Sequence, residues 1–122
     1  MNSKKNILKD KSLSFALDCI RTYKGLTEIK KEYVLSKQFL RSSTSIGANI
    51  QEAYNAESKA DFIHKFGIAQ KECAETQYWL ELLNCSNYIA NAEFNTLNNN
   101  ANELLKIIRS SILTVKKNLK TK

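Results

Sequence analysis

Residues 41–52 read R-S-S-T-S-I-G-A-N-I-Q-E, and the conformation given to this stretch decides the fold. By local propensity it is a poor helix. Ser42, Ser43, Thr44 and Ser45 compete for backbone hydrogen bonds, and Gly47 costs about 1 kcal/mol against alanine in a helix interior. Yet Ser42, Ile46, Ile50 and Ala53 fall on one helical stripe, and Arg41, Ser45, Asn49 and Glu52 fall on the stripe beside it. The polar row could simply face solvent, but solvent faces favour Lys, Glu and Gln over such a density of small residues. The better reading is a helix lying close against its neighbours, with the small residues permitting the approach.

Working outward, this helix spans about residues 33–55, entered through Val34, Leu35, Phe39 and Leu40. Before it, Leu13, Ala16, Leu17, Ile20 and Tyr23 recur at helical spacing, with Phe15 and Cys19 widening the stripe, and predict a helix over about 7–26. After it, Ser58-Lys59-Ala60-Asp61 has the form of a capping box and opens a helix over about 59–86. Phe62, Phe66, Ala69, Cys73, Thr76, Leu80 and Leu83 give that helix the clearest apolar stripe in the chain, and Gly67 reads as a second point of close packing. Asn91 is a fair N-cap for a last helix over about 92–118, carrying Phe94, Leu97, Ala101, Leu104, Leu105, Ile108, Ile112, Val115 and Leu119.

Proline is absent and there are only three glycines, so the turn chemistry that a strand protein needs is missing. Four helices with short connectors predict one all-α domain, an antiparallel up-down-up-down four-helix bundle over residues 1–122. No apolar run approaches the ~18 residues of a membrane span, and the N-terminus lacks a signal-peptide core, so a cytoplasmic protein without membrane contact is expected. Cys19, Cys73 and Cys85 contain no C-x-x-C pair and read as small buried thiols.

Catalysis has little to draw on. His64 is the single histidine, and Asp61-x-x-His64 falls short of the paired Glu-x-x-His motifs of a di-iron bundle. Three isolated glycines cannot form a phosphate loop, and nothing in the sequence brings a serine to His64. The expectation is a protein that is not an enzyme, with no metal and no cofactor.

Charge points elsewhere. The formal net charge is +7, but residues 1–41 hold ten Lys/Arg against four Asp/Glu, residues 42–103 three against eight, and residues 104–122 six against none. Basic ends on an acidic middle suggest an anionic partner or head-to-tail pairing between copies. Lys4, Lys5, Lys9, Lys11, Lys30, Lys31, Lys116, Lys117 and Lys120 are the candidate nucleic-acid-binding residues, since lysines neutralise phosphates. The start of the first helix and the end of the fourth lie at the same end of such a bundle, so the basic termini are expected to meet. A merely solvated basic surface is the alternative. Tyr78 and Trp79 fall off the main stripe of their helix and suggest a subunit or partner contact.

The blocks Y-V-L-S-K-Q-F-L-R-S-S-T-S-I-G-A-N-I-Q-E-A (33–53) and S-K-A-D-F-I-H-K-F-G-I-A-Q-K-E-C-A-E-T-Q-Y-W-L (58–80) resemble a known family. It comprises the four-helix-bundle proteins encoded in intervening sequences of bacterial 23S rRNA genes, also called the S23 ribosomal protein family. The resemblance covers essentially the whole chain. It implies a homopentameric ring, and likeness to the accessory variability protein of diversity-generating retroelements, a basic pentamer that binds nucleic acid and a reverse transcriptase. No enzymatic activity is implied. Arg41, Ser42, Ser45, Ile46, Asn49, Ile50 and Glu52 match the second-helix motif; Lys71, Glu72, Glu75, Tyr78, Trp79 and Leu80 match the third-helix motif. Arg41 with Glu72 or Glu75 is expected to make inter-helix polar contacts, inside one subunit or across the ring. The expected partners are therefore further copies of the chain, RNA or DNA, or a nucleic-acid-processing protein such as a reverse transcriptase.

Overall fold

The computed structural model describes residues 6–120, and of Lys120 only the backbone. Four helices follow in order: α1 (Ile7–Glu28), α2 (Leu35–Ala53), α3 (Lys59–Cys85) and α4 (Asn91–Lys120). Each packs on its neighbours in the chain, and α4 closes back on α1. This is the expected all-α four-helix bundle. The α2–α3 seam is the most extensive and the α1–α4 seam the thinnest.

The predicted stripe of α3 is the one that is buried, with Phe66, Ala69, Cys73, Thr76, Leu80 and Leu83 in the core and Phe62 half-buried against it. On α4, Leu97, Ala101, Leu104, Leu105 and Ile108 are buried, while Leu119 near the helix end is exposed. The hydroxyl of Ser58 accepts from the backbone N–H of Asp61 at 3.0 Å, as its position in the capping box requires. Asn91, expected as an N-cap, is instead the first helical residue, and its Oδ1 accepts from Asn84 Nδ2 on α3 at 2.9 Å.

Helix α1 departs from expectation. Leu13 and Leu17 are 62% and 48% exposed, and the inward residues are Leu8, Ser12, Phe15, Cys19, Thr22 and Leu26. The helix carries two stripes, and the more polar one faces in because its hydroxyls find partners there. Ser12 Oγ donates to the carbonyl of Lys9 at 3.0 Å, and Thr22 Oγ1 donates to Glu93 on α4 at 2.7 Å. Ser12 is also small enough to sit against Gly47 of α2, where a Cβ would come to 3.4 Å from Ser12 Oγ. Gly67 differs from its expected role too, for it faces solvent with nothing within 4 Å of where a Cβ would stand.

The start of α2 depends on a residue outside the helix. Lys31 takes a left-handed conformation (φ 59°), which turns the chain so that Glu32 is buried at 8% exposure. Its carboxylate then accepts the backbone N–H groups of Val34, Leu35 and Ser36 at 3.1, 2.9 and 2.7 Å. Those are donors that the first turn of a helix cannot satisfy itself. Burial raises the carboxyl's pKa, but the three backbone bonds and Ser36 together outweigh it and hold the group below its ordinary value. The helix accordingly begins at Leu35, leaving Tyr33 and Val34 exposed.

Two of the three thiols behave as expected and one does not. Cys19 and Cys73 are fully enclosed, and burial pushes them up to about 12 and about 11. Cys85, the last residue of α3, is exposed. A thiolate-selective reagent at mildly alkaline pH should modify one cysteine per native chain and three in denaturant, because only the thiolate reacts. Mass spectrometry on the labelled protein reads this directly.

Candidate nucleic-acid interface and the α2–α3 motif face

The hydroxyls of residues 42–45 do not break α2; they bond within it. Ser42, Ser43, Thr44 and Ser45 donate to the carbonyls of Phe39, Leu40, Leu40 and Arg41 at 3.3, 3.2, 2.8 and 2.7 Å. With their polar atoms turned onto the helix backbone, Ser42 and Ser43 pack in the core at 0% exposure beside Ile46 and Ile50. Opposite Ser42, the hydroxyl of Thr76 on α3 lies 2.9 Å away, and Thr76 also donates to the carbonyl of Glu72.

Beside this seam runs the polar row. Arg41 Nη2 meets Glu75 Oε2 at 2.5 Å, and Arg41 Nη1 meets Glu72 Oε2 at 3.3 Å. Trp79 Nε1 donates to the same Glu75 oxygen at 3.1 Å. The Trp79 hydrogen bond and the Arg41 guanidinium together hold the Glu75 carboxyl below its ordinary range. Glu72 and Glu75 in turn raise Arg41. Glu72 Oε1 is enclosed and receives no hydrogen bond, although Arg41 Nη2 stands 3.3 Å from it. Asn49 Nδ2 donates to the carbonyl of Ser45 at 2.9 Å, and Glu52 pairs with Lys65 at 3.0 Å. Arg41, Glu72, Glu75 and Trp79 thus converge on one face, where Arg41 ties α2 to α3 within the chain. Trp79 is half-buried rather than exposed, while Tyr78 is 54% exposed with its ring 5.3 Å from that of Trp79.

Arg41→Ala should cost about 1 kcal/mol, a modest figure because its guanidinium is 48% exposed and solvent screens it. The loss should show as a fall in Tm, and Glu72→Gln in the same chain should recover part of it by removing the stranded charge.

The candidate lysines divide between the two ends. The antiparallel topology puts the start of α1, the end of α2, the start of α3 and the end of α4 together, so Lys9, Lys116 and Lys117 share one end. Lys116 and Lys117 are exposed and Lys9 is half-exposed. Lys30 and Lys31 are exposed at the opposite end. Lys11 lies part-way along α1, paired with Glu103 at 3.0 Å. Lys4 and Lys5 lie outside the described residues, as does the side chain of Lys120, so the meeting of the basic termini concerns residues that are not described. Beside Lys9, at the α2 end, stands an aromatic that sequence reasoning passed over. Tyr54, just past α2, is 44% exposed with Lys9 Nζ 6.0 Å from its ring centroid. The signal was an aromatic at a helix end followed by Phe62 and Phe66, whose rings meet it edge-on at 5.6 and 5.9 Å.

Among the described residues no three His, Cys, Asp or Glu side chains are grouped so as to hold a metal ion. Nor is any helix of these residues long and apolar enough to cross a membrane.

Comparison with known proteins bears on the family resemblance. No curated protein matches the chain. A protein of unknown function from the S23 ribosomal protein family of Bacteroides thetaiotaomicron VPI-5482, whose crystal structure was determined at 1.70 Å, is 52% identical. The two superpose with a TM-score of 0.87, covering 88% of this chain and 96% of that one. The family model of the 23S rRNA-intervening sequence protein matches residues 4–110, and with that span the chain belongs to this family.

Proposed function

We propose that this protein is a non-catalytic, ring-forming bundle, homopentameric as the resemblance implies, that binds nucleic acid, RNA in particular, at the basic end of its helices. The observation that carries the reading is the end of α4. Residues 104–122 hold six Lys/Arg and no acid, and Lys116 and Lys117 stand exposed at the end that also presents Lys9. Cations near a helix C-terminus suit the macrodipole, which accounts for part of the run but not for six without an acid. Ring formation is supported by the second apolar stripe of α1, where Leu13 and Leu17 face outward. On this reading the protein works in the cytoplasm.

Titration with structured RNA should show affinity falling steeply with salt, because each phosphate contact contributes roughly 0.7–0.9 to the slope of log K against log salt. Lys116→Gln with Lys117→Gln should reduce that slope by about 1.5. Absent or salt-independent binding would exclude the reading. Light scattering on the purified protein tests the ring separately.

A further inference from the structure

We propose that Tyr54 and Lys9 form a contact for single-stranded nucleic acid, the ring stacking one unpaired base while the ammonium takes a phosphate of the same strand. The inference rests on the nucleic-acid reading above and deepens it by naming the strand state that is bound. Duplex and structured RNA present phosphates, and lysines alone suffice for them. An exposed aromatic beside a lysine adds something only an unpaired base can use, a flat surface for its π-face.

The geometry at Tyr54 suits that use. The residue follows the last turn of α2, where the chain turns into the short link to Ser58 and α3, so its ring stands at the edge of the bundle. Phe62 and Phe66 meet it nearly perpendicularly, at 78° and 83°, and fix the plane of the ring from the core side. A stacking surface held in this way loses little conformational freedom on binding. The remaining exposure is large for a tyrosine packed on half-buried Phe62 and buried Phe66, and among the described residues no hydrogen bond of its hydroxyl explains the placement.

Lys9 supplies the charge. Its ammonium lies at the outer limit of a cation–π contact, and among the described residues no ion pair holds it. A base lying on the ring would displace the ammonium from the face and leave its three donors for a backbone phosphate. The nearest acids at this end are not all free to oppose it: Glu52 is paired with Lys65, and Asp61 stands in the first turn of α3 beneath Lys65, whereas Asp10 and Glu57 are exposed. Lys59, Lys116 and Lys117 are exposed at the same end of the bundle.

Fluorescence anisotropy with a labelled unstructured 12-nucleotide RNA and with a duplex of the same length tests this, using the full chain. Tyr54→Leu should weaken single-strand binding by about 5- to 160-fold, the equivalent of 1–3 kcal/mol per stacked base, and leave duplex binding within about twofold. Tyr54→Phe should bind like the wild type, because the ring and not the hydroxyl is used. Lys9→Gln should weaken the single strand several-fold and lower its salt slope by about 0.7. Thermal melts of each variant separate these effects from a loss of fold, and Tyr54→Phe with Lys9→Gln keeps the test informative if Tyr54→Leu melts early. Unchanged single-strand affinity in Tyr54→Leu, or an equal loss on the duplex, would overturn the inference while leaving salt-dependent binding intact. Wild-type protein that binds neither RNA would overturn both.

Discussion

Glu32→Ala should lower the stability of the bundle by about 2–3 kcal/mol, a large effect for a residue outside the helices. The carboxylate accepts three backbone N–H groups at the start of α2 and is almost entirely enclosed. Alanine leaves those donors without partners, and an unpaired buried donor costs more than the bond it lost was worth. For a chain of 122 residues this corresponds to a fall in Tm of roughly 10 °C. Glu32→Gln should recover less than half, since its amide turns one acceptor into a donor facing other donors. The effect also has a pH signature. The folded carboxyl lies below its ordinary value of 4.5, so its stabilisation is fully present above that value and is lost as pH falls through the folded pKa. Chemical denaturation of wild type and Glu32→Gln at neutral pH and stepwise below 4.5 should show the gap between them closing. A constant gap would mean that the charge is not what caps the helix.

Ser42→Leu should be about as damaging, for the opposite reason. Ser42 is 0% exposed, with its hydroxyl 2.9 Å from Thr76 across the α2–α3 seam. Leucine adds a branched side chain where two helices already touch, and overpacking of this kind costs roughly 1–3 kcal/mol, the upper end applying where backbone must separate. Separation would also lengthen the nearby Arg41–Glu75 contact, so about 3 kcal/mol is expected. Ser42→Ala should cost no more than about 1 kcal/mol, since it keeps the close approach and leaves the Thr76 hydroxyl the Glu72 carbonyl as its acceptor. Urea denaturation of the pair separates the steric from the polar contribution. If alanine proves the worse of the two, the seam is held by its hydroxyls and not by its narrowness.

These residues show what could be read ahead of the structure. The stripes of α3 and α4 were legible because their apolar residues recur at one helical phase and the flanking positions are polar. The pairing of Arg41 with Glu72 and Glu75 was legible as well, from a cation and two acids within the matching motif blocks of adjacent helices. Helix α1 was not, because it offers two phases and hydrophobicity favours the wrong one. Leu13 and Leu17 outrank Ser12 and Thr22 on any apolar scale, yet Lys9's carbonyl and Glu93 satisfy the two hydroxyls on the inside. Glu32 was hidden for another reason. It caps α2 from ahead of the helix and only through the left-handed turn at Lys31, a conformation that no local pattern announces. Tyr54 was missed because its setting is made by Lys9, far away in the chain, and by two phenylalanines of the next helix whose rings meet it.

The unequal seams of the bundle also give its folding an order. Helices α2 and α3 are joined by a short link and share the broadest contact, so their hairpin closes a small loop for a large return of buried surface. Helix α1 must find α4 across the length of the chain, and there it meets a thin seam with Thr22–Glu93 and Lys11–Glu103 as its polar clasps. The hairpin is the expected nucleus, and the α1–α4 seam is the contact expected to close last and to open first in amide-hydrogen exchange. The chain would then reach its native state through an α2–α3–α4 core on which the first helix closes like a stave.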